Sequence, residues 1–174
     1  LISACRRIYA QHRTAFNLIM QHGQVSTLAE AFRSFQAERP HLAALAVRQD
    51  VAVFVESDWL QIPGFQIADT ASRWEPSCPV KYGFQRGEDK LRLFREVGPG
   101  KAESGFRRLD FVGALGGRVG RNGRGMYTRV QRREVKLPPD ADIDTVKSVM
   151  DELWLQMDGP RLASTVREAA VKCV

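Results

Sequence analysis

The chain has 174 residues, with 26 Lys or Arg against 20 Asp or Glu, and its formal net charge is +6 at pH 7. This length suits a single domain with a real core, and an apolar share of 44% is ordinary for a globular protein. No apolar run approaches the about 20 residues that cross a bilayer, and the arginines among the first twenty residues argue against a signal peptide. We therefore expect no membrane insertion, and the basic balance points to phosphate-bearing partners.

The three cysteines lie far apart in the sequence. Cys5, Cys78 and Cys173 form no Cys-x-x-Cys pair. This pattern argues against a disulfide scaffold and a zinc site, and it favours a reducing cytoplasm. The histidines have no partners at metal-ligand spacing, and no Ser–His–Asp or Cys–His arrangement stands out. Nucleophilic catalysis by such groups is therefore not indicated.

Helical periodicity dominates the first forty residues. Apolar residues recur at three- and four-residue steps over 1–20, and Gly23 ends that helix. A second helix is predicted to begin where Thr27 and Glu30 stand at capping-box spacing. The two helices predict a helical hairpin over residues 1–40 that could cap a sheet or bind a partner, and capping is the favoured interpretation.

The middle of the chain predicts strands and one change of period. Residues 41–47 fit either a helix or a strand, whereas the β-branched and aromatic run 51–55 predicts a strand. Apolar residues alternate over 80–84, which indicates a half-buried strand. Apolar residues over 91–95 then fall at helical spacing. The sequence thus predicts a strand–turn–helix unit over 80–98.

The C-terminal half predicts a hairpin followed by helices. Residues 106–112 and 127–137 read as strands on either side of a glycine-rich loop. Asp142 or Asp144 is expected to cap an amphipathic helix, and residues 162–174 predict a last short helix. The whole chain, residues 1–174, is predicted to be one α/β (α+β) domain.

Its expected parts are the N-terminal hairpin, a small mixed sheet over 41–137 and C-terminal helices over 138–174.

Arginines are concentrated around the glycine-rich loop. Three stand in the loop at three-residue intervals, and more follow in the next strand, against a single acid, Glu134. Each guanidinium can bind phosphate bidentately, so we expect a DNA-binding surface, although a solubilising hairpin tip would look the same. The surrounding positive charge should lower the pKa of Glu134. The predicted DNA-binding residues are Arg118, Arg121, Arg124, Arg129 and Arg132.

The turn after residue 84 carries a resemblance. Gly87, Glu88 and Arg92 match the Gly-Glu-Arg-Arg-x-Arg-Ala box of ParB/sulfiredoxin-fold proteins, whereas Asp89 replaces an arginine. In that family the strand–turn–helix unit cradles nucleotide phosphates or DNA. The resemblance implies that ATP or another phosphate would be bound by Arg86, Gly87, Lys90 and Arg92.

Considered whole, the chain resembles plasmid-encoded fertility-inhibition proteins of this fold. That resemblance implies ATPase and DNase activity and a role in blocking DNA export through a type IV secretion system from within the bacterial cytoplasm. The implied partners are DNA and either a secretion coupling protein or a relaxase–DNA complex. The implied cofactors are ATP and a divalent metal, with Mg²⁺ expected.

A second pattern also suggests metal-dependent cleavage. Asp110 on one predicted strand and Glu134-x-Lys136 on the next resemble the PD-(D/E)XK nucleases, in which two carboxylates hold a metal and a lysine steadies the attacking hydroxide. Glu88 is a further candidate. The predicted metal ligands are Glu88, Asp110 and Glu134, and the predicted catalytic residues are Glu88, Glu134 and Lys136. The alternative is a non-catalytic module that binds DNA or blocks a partner protein.

Overall fold

The structure is a computed structural model that describes residues 2–14, 26–62, 78–98, 108–115, 127–157 and 164–170. Over these residues the chain forms one open antiparallel sheet of five strands that lie in sequence order. The strands are β1 (Leu42–Val47), β2 (Val51–Glu56), β3 (Val80–Arg86), β4 (Lys90–Val97) and β5 (Thr128–Lys136). The helices are α1 (Ile2–Gln11), α2 (Thr27–Ala37), a 3-10 helix (Ser57–Gln61), α3 (Arg108–Ala114), α4 (Ile143–Gln156) and a helix over 164–170. The predicted α+β class is confirmed and an N-terminal helix is present, whereas the sheet predicted to be mixed is antiparallel in all its described strand pairs.

One face of the sheet is apolar and carries two helices. The register pairs Phe54 with Tyr82 and Phe84 with Leu93, so these alternate residues of β2, β3 and β4 lie on the same face. Helices α2 and α4 pack against each other and against this face. The result is two layers, with the hydrophobic core between the helices and the sheet.

Polar side chains fix the start of both core helices. Ser26 caps α2, because its Oγ accepts a hydrogen bond from the Ala29 amide at 3.4 Å. Asp142 caps α4, because its Oδ1 accepts from the Thr145 amide at 2.8 Å. The capping residue of α2 is thus Ser26 and not the predicted Thr27, whereas Asp142 was one of the two predicted caps of α4.

Two sequence-based assignments are wrong. Residues 90–97 form strand β4 and not a helix, because their backbone pairs with β3 on one side and β5 on the other. Residues 108–114 form a helix and not a strand. Phe111 and Val112 are both fully buried there, whereas a strand would turn neighbouring side chains to opposite faces.

The remaining expectations concern residues 42–47, the N-terminal helices and the absence of a membrane-spanning helix. Residues 42–47, for which helix and strand stayed open, form a strand. In the predicted N-terminal helical pair, α2 packs on the sheet, whereas α1 has no buried residue. No helix in the described ranges is long and apolar enough to cross a membrane.

Candidate functional site

The second face of the sheet is basic where β3, β4 and β5 lie side by side. Cross-strand pairs such as Lys81 with Glu96 and Arg92 with Glu134 place these side chains on the face opposite the helices. We call this surface the basic face. Its charged members are six cations and two acids, namely Lys81, Lys90, Arg92, Arg129, Arg132 and Lys136 with Glu96 and Glu134.

The first ion cluster on the basic face surrounds a buried carboxylate. Glu96 Oε1 accepts hydrogen bonds from Nε and Nη2 of Arg129 at 2.9 and 2.6 Å, and Lys81 Nζ lies 3.6 Å from Glu96 Oε2. The side chain of Glu96 is only 5% exposed. The Arg129 guanidinium also lies over the Phe94 ring, 4.4 Å from its centroid. Arg129 is therefore held in place from two sides.

Gly83 makes room for that arrangement, and its substitution should be costly. It pairs with Phe94 across β3 and β4, and a Cβ atom at position 83 would lie 2.3 Å from the Phe94 ring. We expect Gly83→Ala to destabilise the protein by about 1–3 kcal/mol, because the ring cannot move without displacing Arg129. Urea unfolding measures this loss.

Gly113 provides the matched control for that substitution. It lies in helix α3, and nothing comes within 4 Å of a Cβ added there. Gly113→Ala should therefore stabilise the protein by about 0.5–1 kcal/mol. Equal effects of the two substitutions would contradict the contact between Gly83 and Phe94.

The second ion cluster surrounds Glu134. Its Oε2 accepts hydrogen bonds from Arg132 Nη2 at 2.5 Å and Arg92 Nε at 3.2 Å, and its Oε1 lies 4.0 Å from Lys90 Nζ. The hydrogen bond from Arg132 is the largest cause of a lowered pKa of the Glu134 carboxyl, and Arg92 and Lys90 add to the effect. The predicted direction of this shift is confirmed.

The geometry around Glu134 does not suit a divalent metal. Glu134 and Lys136 do lie on the same face of β5, as alternation predicts, but Asp110 lies on helix α3 and not on a neighbouring strand. The described ranges contain no group of three or more His, Cys, Asp or Glu side chains that could hold a metal ion. A carboxylate that three cations already surround is also a poor ligand for a further cation.

The turn between β3 and β4 closes a hairpin and does not begin a helix. The Gly87 amide donates to the Lys90 carbonyl at 2.8 Å, and the chain continues into β4. The strand–turn–helix unit that the resemblance implies for phosphate binding is therefore not formed. Lys90 and Arg92, which the resemblance assigned to phosphate binding, lie on the basic face instead.

A cavity of about 460 Å³ lies beside this hairpin turn. Arg86 Nη2 donates to the Pro139 carbonyl at 2.8 Å at its edge. The lining residues are Ser26, Thr27, Gln49, Asp50, Arg86, Gly87, Glu88 and Pro139. Of the predicted site residues, Arg86, Gly87 and Glu88 thus come together here, while Glu134 and Lys136 belong to the basic face. ATP binding at this turn stays a prediction.

Some predicted site residues cannot be placed, and others were missed. Arg118, Arg121 and Arg124 lie outside the described residues. Sequence reasoning missed Lys81 and Glu96, which join Arg129 on the basic face. The position of Lys81 on this face could be predicted from the alternation in β3, since Lys81 points away from the buried Tyr82. The position of Glu96 could be predicted only if residues 90–97 were assigned as a strand.

No protein-family model, curated protein or solved structure matches this chain.

Proposed function

We propose that this protein binds DNA and that the basic face is its DNA-binding surface. The observation that supports the proposal is the excess of six cations over two acids on one face of the sheet. Positive charge on one surface attracts the phosphate backbone and releases its counterions. The opposite face of the sheet packs against α2 and α4 and forms the hydrophobic core. In this proposal the basic face, on the other side of the sheet, binds the DNA.

Three cations of the basic face, Arg92, Arg132 and Lys136, keep donors for a ligand. Arg92 and Arg132 each donate to Glu134, but a guanidinium has five N–H donors in a planar fork. Both side chains are also partly exposed, and Lys136 is exposed. A phosphate can therefore approach these groups from solvent without unfolding any part of the sheet.

DNA binding alone would serve the role that the sequence resemblance implies. A fertility-inhibition protein that holds DNA, alone or in a complex with a relaxase or coupling protein, could block its export. The Lys and Arg side chains of the basic face suit the phosphate backbone, which carries no sequence information directly, so we expect little sequence preference. Cleavage has less support, because Glu134 is engaged with Arg92 and Arg132.

The proposal is tested by removing two charges from the basic face. We expect Arg92→Gln with Arg132→Gln to weaken the binding of single-stranded and duplex oligonucleotides by at least about tenfold, and to lower the slope of log K against log salt by up to about 2. Fluorescence anisotropy at several salt concentrations measures both quantities.

The control removes the same charge elsewhere. Arg33 on α2 and Arg167 in the helix over 164–170 are exposed, and neither belongs to the basic face. Arg33→Gln with Arg167→Gln should change the affinity by less than about twofold. Equal losses in the two double variants would mean that net charge, and not the basic face, governs binding.

Adding Mg²⁺, with and without ATP, to the same oligonucleotides tests cleavage directly. The binding account predicts intact DNA. Mg²⁺-dependent degradation that is lost in Glu134→Gln or Glu88→Gln would instead establish the nuclease predicted from the sequence.

A further inference from the structure

We propose that Lys90, Arg92 and Arg132 form a phosphate subsite, and that Glu134 occupies this subsite in the free protein and competes with the DNA backbone for it. The inference rests on the proposed DNA binding and adds to it a residue that limits affinity. It assigns to Glu134 neither a catalytic role nor a metal, but the role of an internal competitor.

The contacts of Glu134 are those that a phosphodiester would make. One oxygen of the carboxylate is shared by Arg132 Nη2 at 2.5 Å and Arg92 Nε at 3.2 Å, and the other faces Lys90 Nζ at 4.0 Å. A phosphodiester also carries one negative charge spread over two terminal oxygens. It could therefore accept hydrogen bonds from the same donors once the carboxylate has turned away.

Exposure separates Glu134 from the other acid of the basic face. The side chain of Glu134 is 40% exposed, and solvent screening makes exposed ion pairs weak, so displacing it costs little. Glu96 is buried between Lys81 and Arg129, and moving it would break both ion pairs of a buried carboxylate. Only Glu134 of these two acids can give way to a ligand.

The position of Glu134 allows it to turn outward. It stands on β5, an edge strand of the sheet, where the side chain has no strand beyond it to pack against among the described residues. Arg92 lies directly across from it on β4, and Lys90 lies across from Lys136. The subsite would thus stay formed by the two strand backbones after the carboxylate has left.

Glu134→Gln is the decisive substitution because it removes the charge and preserves the shape. We expect the variant to bind a single-stranded oligonucleotide about 3–30-fold more tightly than wild type. The salt dependence should become steeper by about 1 unit of slope, since one more phosphate is neutralised. A residue that only positioned Arg92 and Arg132 for binding would give the opposite sign.

Glu152→Gln is the matched control, because it changes the net charge equally. Glu152 is exposed on α4, which packs on the other face of the sheet. The experiment measures anisotropy titrations of a labelled oligonucleotide with wild type, Glu134→Gln and Glu152→Gln at three salt concentrations. Urea unfolding of the same three proteins confirms that each is folded.

Tighter binding and a steeper slope in Glu134→Gln, with Glu152→Gln close to wild type, would support the inference. If Glu134→Gln binds no more tightly than Glu152→Gln while wild type binds DNA, the competitor role is overturned and the proposed function stands. If none of the three proteins binds the oligonucleotide at low salt, the proposed function and the inference both fall.

Discussion

Replacing Phe54 by alanine is expected to lower the free energy of unfolding by about 3–5 kcal/mol, which is a large part of the stability of a domain of this size. Phe54 is fully buried at the centre of the aromatic core. Its ring centroid lies between 5.3 and 6.1 Å from those of five others, namely Phe32, Phe35, Tyr82, Phe84 and Trp154.

The reason for this large effect is that Phe54 joins three elements at once. It contacts α2 through Phe32 and Phe35 and α4 through Trp154, so its removal leaves a cavity where both helices meet the sheet. Aromatic pairs in tilted or edge-on geometry also contribute beyond the area that they bury.

Urea denaturation followed by circular dichroism measures the effect of Phe54→Ala. Leu155→Ala is the control, because Leu155 lies on α4 but is 74% exposed. We expect a change within about 0.5 kcal/mol for that variant. A loss below about 1 kcal/mol for Phe54→Ala would contradict the seating of the two helices on this face.

The second large effect concerns pH and Glu56. This residue ends β2 and is only 5% exposed, and its Oε1 has no hydrogen-bond partner. Burial, with a smaller contribution from Asp58, raises the pKa of the Glu56 carboxyl to about 7. Because the folded state holds this proton more tightly than the unfolded chain, Glu56 favours folding at low pH. That advantage is lost as the pH rises from about 4.5 to 7.

We therefore expect the protein to be more stable near pH 5 than at pH 8, by an amount on the order of 3 kcal/mol from this group. Glu56→Gln should remove that difference, chiefly by stabilising the protein at pH 8. Unfolding curves at both pH values measure it. A wild-type protein that is equally stable at pH 5 and pH 8, or a Glu56→Gln variant that keeps the difference, would contradict the burial of an uncompensated carboxylate.

Other titratable groups near Glu56 could also contribute to a difference in stability between pH 5 and pH 8, so the histidine beside it needs a control. His41 Nε2 lies 3.9 Å from Glu56 Oε2, so His41→Gln shows how much of the difference belongs to the histidine. Burial raises the pKa of Tyr82, and it raises that of Cys78 to about 12, which keeps both groups neutral throughout the window. Arg95 is buried and stays charged across this window, although burial lowers its pKa.

The sequence predicts those elements whose pattern is set locally. Strand β2 is a run of β-branched and aromatic residues, and β3 alternates apolar and polar residues along its own length. Helix α4 has both an apolar stripe and its cap at Asp142. Strand β4 could not be assigned in this way. Leu91, Phe94 and Arg95 fit helical spacing, but Leu91, Leu93 and Val97 also fit alternation. Backbone pairing with β3 and β5, which no local pattern contains, decides between the two.

The candidate site was likewise predicted where it depends on β5 and missed where it depends on β4. Arg129 and Arg132 were predicted to bind DNA, and Glu134 and Lys136 were predicted to be catalytic. Their cross-strand partners place all four on one face of β5. Arg92 was expected in a helix, so its contact with Glu134 could not be foreseen. Because residues 90–97 were assigned as a helix, the subsite formed by Lys90, Arg92 and Arg132 could not be predicted from the sequence.

The most direct test of DNA binding by the basic face is lysine footprinting with and without DNA. Acetylation of the protein, read by mass spectrometry, is expected to slow at Lys90 and Lys136 when an oligonucleotide is bound. Lys147, which lies on α4 beyond the other face and pairs with Asp151, should react at the same rate in both samples. Unchanged rates at Lys90 and Lys136 in a sample with bound DNA, or protection of Lys147 instead, would contradict the assignment of this face.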